Sequence, residues 1–357
     1  MWSLSGISSA IDQWLNHVVG ATWAPIIGMV MVGVAVISLF AILGLVLVIM
    51  ERKVSAWMQI RLGPNRVGPK GMLQSLADTV KLLVKEGMTP DNADKFLFNL
   101  APFIAMIAAM LLMAPIAFAK DFQIWDINIG VLYITAISSI SVIGILMAGW
   151  ASNNKYSLLG AMRSGAQIVS YELSAGLAIL TIVVLTGSLQ VSDIIKAQEN
   201  GWWIFKGLPT TLVAFVIYMI AATAETNRAP FDLAEAESEL TAGFHTEYSG
   251  MKFALFFLGE YANMIASSAM MVTLFFGGWQ PLWGATPADS LLAGLSHIVW
   301  FVVKLCAFMV MFIWVRWMLP RFRYDQLMDL GWRTFIPLAL GNILVTAIVM
   351  ALPHLNP

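Results

Sequence analysis

Six carboxylates crowd the segment from Glu225 to Glu247: Glu225, Asp232, Glu235, Glu237, Glu239 and Glu247 stand against a single arginine, Arg228. Apolar stretches flank the segment on both sides. Like charges held together disfavour one another's ionisation and raise carboxyl pKa values. A cluster of this kind at the edge of an apolar region is suited to taking up and passing protons. Asp232, Glu235 and Glu239 recur at i, i+3 and i+7, the spacing of one helical face, with Glu237 directed elsewhere. A solvated acidic surface is the plainer reading, since most charge runs are that. The apolar Leu233, Ala234, Ala236 and Leu240 between the acids argue for burial instead.

Three further charges, Glu172, Glu260 and Lys304, stand inside long apolar stretches. An ionisable group within a membrane span is costly and marks function by default. At a rise of 1.5 Å per residue, Glu172 lies about 13 Å beyond Arg163 and Glu260 about 12 Å beyond Lys252. The two carboxylates thus share a depth, and Glu225 ends the span between them in sequence. If the three helices are neighbours, a row of acids leads from the loop towards the bilayer centre. Tyr171 and Tyr261 flank two of them as possible donors. A structural hydrogen bond between helices is the bland alternative. Lys304, about 18 Å from Arg316 by the same rise, could pair with a glutamate or join a relay.

The elements that must hold these groups follow from composition. Of 357 residues, 59% are hydrophobic and 11% charged, where a soluble domain carries about 25% charged. The chain reads as an all-α polytopic membrane protein. Eight stretches have the roughly 20 apolar residues needed to cross: Pro25–Met50, Phe98–Ala119, Ile129–Ala151, Arg163–Thr186, Gly207–Ala224, Phe253–Phe276, Leu291–Val315 and Thr334–Leu352. The segments 51–97, 152–163, 225–252 and 316–333 hold sixteen Lys and Arg, against three (Lys120, Lys196, Lys206) in the opposite loops. By the positive-inside rule both termini face outward. The expected organisation is a leader over 1–24 on the outer side and one membrane domain over 25–352, with a basic cytoplasmic loop at 51–97 and an acidic one at 225–252. The leader has no basic n-region or small-residue cleavage site, so no cleaved signal peptide is expected.

Other classes are excluded by what is absent. A net charge of −1 argues against a nucleic-acid partner. One cysteine, Cys306, permits neither a disulfide framework nor a cysteine-ligated iron–sulfur cluster within the chain. Of His17, His245, His297 and His354, only His297 lies in a span, so no bis-histidine haem site can form. Any electrons must come from a partner.

The first basic segment is the most patterned. After Glu51-Arg52-Lys53, residues 54–61 place Val54, Trp57, Met58 and then Leu62 on one face, which predicts a separate helix lying in the membrane interface. Gly63-Pro64-Asn65-Arg66-Val67-Gly68-Pro69 follows, and two Gly-Pro steps in seven residues predict a stiff turn. A second amphipathic helix is predicted from Met72 to Glu86, with Leu73, Leu76, Val80, Leu83 and Val84 as its apolar stripe and Asp78 and Lys81 on its polar one. Such helices often only brace a membrane, and the plain reading of Asp78 is a pair with Lys81 alone. The stiff basic loop reads as a docking surface for another subunit. In the acidic segment, Ala229-Pro230-Phe231 breaks the chain, and Arg228 and Phe231 offer a cation and an aromatic face suited to a quinone-like head group.

These strings carry a resemblance. ERKVSAWMQIRLGPNRVGPKG (51–71), ADTVKLLVKE (77–86), MRSGAQIVSYELS (162–174), AETNRAPFDLAEAESELTAGFHTEYSG (224–250), ALFFLGEYANM (254–264) and RYDQLM (323–328) resemble the H-type membrane subunits of respiratory complex I, the NADH:quinone oxidoreductases. The likeness runs from about residue 25 to about 350 and leaves the leader uncovered. It implies eight transmembrane helices in this orientation and quinone as substrate, bound without a covalent link in a chamber shared with the hydrophilic arm. By motif, Arg52, Trp57, Arg61, Asp78, Arg228, Phe231 and Asp232 would line or shape that chamber. Glu172, Tyr171, Glu225, Glu235, Glu237, Glu239, Glu247, Glu260 and Lys304 would form the proton path.

The resemblance also implies partners: peripheral-arm subunits carrying the flavin, the iron–sulfur clusters and the quinone head-group site, small membrane subunits, and antiporter-like subunits, all around the lipid bilayer. The quinone tail would enter between the first span, the piece around Trp57 and the sixth span. A bacterial plasma membrane is expected rather than an organellar inner membrane. The related subunit of a membrane-bound hydrogenase, a stand-alone cation or proton transporter, and a purely structural anchor remain alternatives. The full GPNRVGP loop disfavours the first, the lack of an internal repeat the second, and the buried glutamates the third.

Overall fold

The computed structural model describes residues 13–17, 20, 22–120, 122–234, 237–282 and 291–355. Most of the N-terminal leader therefore lies outside the described residues.

Long apolar runs become helices because a helix satisfies its own backbone polar groups where no water can. The first, α1 (Ala24–Met58), spans 35 residues without a break. Pro25 sits in its first turn, where a missing N–H costs nothing. Its length of about 52 Å exceeds the roughly 30 Å hydrocarbon core, so its charged end projects beyond the apolar layer. The separate interfacial helix expected after Lys53 does not exist. Nothing in residues 51–58 breaks a helix, and the chain turns only at Ile60, whose φ is 54°.

After a short amphipathic helix α2 (Gln74–Val84) come α3 (Lys95–Leu111), α4 (Gly130–Ala151), α5 (Lys155–Thr186), α6 (Thr210–Glu225), α7 (Gly250–Phe275) and α8 (Leu291–Met318). The chain closes with α9 (Tyr324–Asp329), a π-helical stretch Leu330–Phe335, and α10 (Ile336–Leu355). Among the described residues six helical segments are long and apolar enough to cross a membrane; α3 and α6, with 17 and 16 residues, are shorter apolar helices at two of the eight expected positions. The chain is an all-α polytopic membrane protein, with an antiparallel hairpin of Ala117–Ala119 and Phe122–Gln123 as the sheet among the described residues.

Two boundaries differ from expectation for one reason. The span expected at Arg163 begins eight residues earlier, at Lys155, where Asn154 accepts from the Tyr156 amide at 2.9 Å. The last helical rod starts at Tyr324 rather than Thr334. Charged residues mark where the apolar layer ends and do not themselves end a helix.

The hub is α7. Every residue from Met264 to Phe275 is buried, as befits a helix that is apolar or small all round. It packs against α3, α6, α8, α1 and α2, while α5 joins α4, α6 and α10. Small residues permit the closest approaches: a Cβ on Gly144 of α4 would stand 2.9 Å from the Ala105 amide of α3. By contrast α1 presents Ile26, Met29, Val30 and Val34 outward, as a lipid-facing helix must.

Candidate functional site

Glu51 ties four elements together at the basic end of the bundle. Its Oε2 accepts from Arg228 Nη1 at 2.8 Å and from the Tyr261 hydroxyl at 2.7 Å, and its Oε1 from Arg316. The Arg228 guanidinium also lies 4.2 Å from the centre of the Tyr261 ring. Arg228 is only 6% exposed. One carboxylate thus holds two guanidiniums, leaving the knot with an excess positive charge. Glu51 was not singled out from the sequence, although an acid at the junction of an apolar run with Arg52-Lys53 was a legible signal.

Beside this knot a cavity of about 930 Å³ opens between α1, α2 and α7. Ala41, Leu45 and Val48 of α1 and Leu255, Phe257 and Leu258 of α7 give it apolar walls. Its polar lining includes Glu51, Tyr261, Arg316, Arg52, Arg61 and Asp78, with Glu51 and Tyr261 buried and Arg52 and Arg61 exposed. The Arg52–Asp78 ion pair, at 2.6 Å, fixes α2 to the end of α1. Asp78 also accepts from Gln74 at 3.1 Å, and Lys81 is its more distant cation at 3.8 Å. Partial burial pushes the Asp78 carboxyl up, but the hydrogen bonds from Arg52 and Gln74 and the charges of Arg52 and Lys81 outweigh it and hold it below its ordinary range.

The loop between α1 and α2 is built to one shape. Gly71 has φ 76°, and a Cβ there would lie 2.1 Å from the Pro64 carbonyl oxygen, so no other residue fits. Lys53 donates to the Lys70 carbonyl and ties the loop back to α1. A largely apolar cavity with a few polar groups in its lining suits a ligand with a long apolar tail and a polar head.

The residues expected around the chamber separate into two groups. Arg52, Arg61 and Asp78 line the cavity, and Arg228 reaches it through Glu51. Phe231 does not present a face to it. Its ring is buried between Tyr171, at 5.4 Å, and Phe322, at 5.6 Å. Gln167 donates to the carbonyls of both Ala224 and Phe231, 2.7 Å each, and so holds the broken chain inward. Trp57 lies away from the cavity, 81% exposed, because the unbroken α1 turns the buried Ser55 and Ala56 inward instead. Asp232 is half-buried and lies outside any helix, so the single helical face expected over Asp232, Glu235 and Glu239 does not form. Among the described residues the local helix covers Glu237–Leu240. Glu235 and the side chain of Glu237 lie outside the described residues.

The three glutamates of α5, α6 and α7 do come together. Glu172 and Glu225 line one small cavity of about 30 Å³ with Tyr218 and Ser138. Glu225 and Glu260 line a second of about 20 Å³ with Asn227 and Asn263. Each is large enough for about one water molecule. Glu225 therefore stands between the other two. Ser138 donates to Glu172 at 3.0 Å, and Ser139 donates to the same oxygen. The serines of α4 were not anticipated, because hydroxyls on an apolar helix carry no distinctive spacing.

The two tyrosines behave differently from expectation. Tyr171 donates to the Leu327 carbonyl at 3.0 Å and Tyr261 to Glu51. Neighbours in a helix point about 100° apart, so neither serves the glutamate beside it. Lys304 is likewise no glutamate's partner. Its ammonium donates to the carbonyls of Phe276, Gly278 and Gln280 at 2.7, 2.9 and 2.6 Å. It caps the far end of α7, where a cation favours the helix dipole, and its three donors are thereby used.

Of the remaining loop acids, Glu247 accepts from Asn154 at 2.6 Å and Glu239 pairs with Arg163 at 2.7 Å. The Arg163 hydrogen bond holds the exposed Glu239 carboxyl below its ordinary range.

A family model described as NADH dehydrogenase matches residues 29–347. The chain belongs to the NADH dehydrogenase family. It is 49% identical to the H-type subunit of NADH-quinone oxidoreductase from Bacteroides thetaiotaomicron, over 98% of this chain and 99% of that protein. It is 48% identical to NADH-quinone oxidoreductase subunit 8 of Rhodothermus marinus, over 92% and 98%. With the H-type NADH-quinone oxidoreductase subunit of Rickettsia typhi the identity is 54%, over 84% and 87%. The stretch matched by the NADH dehydrogenase family model contains the whole of the Glu51 knot, the large cavity and the row of glutamates.

Proposed function

We propose that this chain is the membrane subunit of a proton-translocating NADH:quinone oxidoreductase, that its large cavity takes the quinone, and that Glu260, Glu225 and Glu172 begin the proton path. The observation that carries the reading is the cavity of about 930 Å³, apolar along α1 and α7, whose lining includes the polar groups of Glu51, Tyr261 and Arg316. An isoprenoid tail would lie against Leu45, Val48 and Leu258, and the head group would pass Arg52, Arg61 and Asp78. Reduction adds two electrons and two protons to the quinone. The electrons come from a peripheral-arm partner docked on the Gly63–Gly71 loop and on the exposed apolar stripe of α2, Leu76, Val80 and Leu83. Charge developing in the cavity is felt by the Glu51 knot and, through it, by Glu260. At about 4 Å and an effective dielectric near 20, a unit charge is worth about 4 kcal/mol, enough to shift protons along a short row of acids. Antiporter-like membrane subunits receive the disturbance. The chain sits in a bacterial plasma membrane with both termini outside.

Val48→Trp tests the cavity directly, because it fills the apolar wall without touching a charge. Membranes carrying it should assemble the complex and oxidise NADH with an artificial acceptor at the normal rate. Quinone reduction should fall at least about tenfold, a loss of about 1.4 kcal/mol in transition-state stabilisation, with long-tailed quinones affected more than short-tailed ones. Wild-type quinone reduction with both would refute the assignment.

A further inference from the structure

His245 is a buried titratable group that the preceding mechanism does not use. It closes the 3-10 turn Gly243–His245 and is 3% exposed. The turn is pressed onto α5, where a Cβ on Gly160 would stand 2.7 Å from the Gly243 Cα. Neither imidazole nitrogen has a hydrogen-bond partner among the described residues. A buried polar group left so costs about 1–3 kcal/mol and calls for an explanation. The ring stands in an aromatic box, with Phe253, Phe256 and Phe257 at 5.6, 5.3 and 6.1 Å. A phenyl ring would fill that box at least as well, so packing alone does not account for an imidazole.

Two walls meet at this ring. Phe253 and Phe257 line the large cavity, while Phe256 and Glu260 line the small cavity that also holds Glu225. Nε2 lies 3.6 Å from Glu260 Oε1. Asn263 Oδ1, in the same small cavity, also lacks a hydrogen-bond partner among the described residues. Glu260 and Glu225 are the ionisable groups sharing that space, and Arg228 lies within electrostatic reach of Glu260.

We infer that His245 is a proton-transfer partner of Glu260, set in the wall between the large cavity and the row of acids. The protonated Glu260 carboxyl gives its proton to Nε2, which leaves a carboxylate beside an imidazolium, and the reverse step restores both. The contact shortens from 3.6 Å to the roughly 2.6–3.2 Å that transfer requires, as such contacts do on loading. The pair thereby stores a proton one aromatic layer from the developing charge in the large cavity. This inference rests on the cavity and acid row proposed above.

The test compares His245→Phe, His245→Gln and Glu260→Gln in the assembled complex. His245→Phe fills the box and removes the nitrogens. It should keep artificial-acceptor activity and the KM for quinone, yet lose coupled turnover and proton translocation at least about tenfold. If His245 only packs, His245→Phe will pump like the wild type, and the inference is overturned. Should His245→Phe not assemble, Glu260→Gln decides, since it removes the donor without changing volume or touching the histidine. Its loss of pumping, shared by His245→Gln, supports the pair; normal pumping in Glu260→Gln overturns it. A failure of the underlying quinone assignment is distinct, because Val48→Trp would then reduce quinone normally whatever these variants do.

Discussion

At the scale of single residues, Glu51 bears the largest electrostatic responsibility. It is the counter-charge of Arg228, which is 6% exposed, and of Arg316. Removing one partner from a buried ion pair leaves the other charge uncompensated and costs about 3–5 kcal/mol. Glu51→Ala should therefore lower the thermal midpoint of the purified complex markedly or block its assembly on native gels. Glu51→Ala combined with Arg228→Met should be less harmful than the sum of the two, by at least about 0.5 kcal/mol of coupling; strict additivity would show that the pair is not interacting. Asp78 teaches a different lesson. Its folded-state pKa is depressed, so its contribution to stability is present above the ordinary carboxyl value of about 3.9 and is lost only as pH falls through the lower folded value. The ratio of wild-type to Asp78→Asn quinone reduction should accordingly stay flat from about pH 5 to about pH 9. A slope in that window would place the Asp78 titration far above where its Arg52 partner holds it.

At the scale of elements, the helices were legible and their ends were not. Apolar content identifies what crosses a membrane, and the six long segments and two shorter ones stand where the hydropathy runs put them. Charge then misled in α1, α5 and the last rod, because arginine and lysine mark the water interface while the backbone goes on hydrogen-bonding itself. The stiff loop was legible because glycine and proline act locally: Gly68 and Gly71, at φ 71° and 76°, occupy conformations that their neighbours' spacing demanded. Gly71→Ala should cost more than about 1 kcal/mol, since both the dihedral and the approach of the Pro64 oxygen forbid a methyl group. The loop would open, and limited proteolysis of membranes should cut the Arg61–Met72 segment faster than in the wild type. Quinone reduction should fall with it, while Gly87→Ala, where a Cβ meets no atom within 4 Å, should change neither.

At the scale of the whole molecule, the sequence pointed to six acids in one loop, and the fold gives them different work. Periodicity within the loop could not reveal this, because the described chain there is mostly turns and Glu239 and Glu247 are drawn to partners on other elements. Glu239 and Glu247 end on Arg163 and Asn154. Glu225 instead closes α6 between two small cavities, with Glu172 in one and Glu260 in the other. The intramembrane depths alone suggested that these acids could align; the packing of α5 and of α7 against α6 is what brings them together. If Glu225 is the junction, Glu225→Gln should assemble normally, because an amide fills the same space and can still hydrogen-bond. Proton translocation per NADH, followed with a pH-sensitive dye in inverted vesicles, should fall at least about tenfold. Glu239→Gln should remain within about 0.5 kcal/mol of wild type in stability, as exposed ion pairs generally do, and should pump normally. Equal effects of the two substitutions would mean that the loop acts through its total charge. A defect confined to Glu225→Gln would mean that it acts through position, since among the described loop acids that one lines both small cavities.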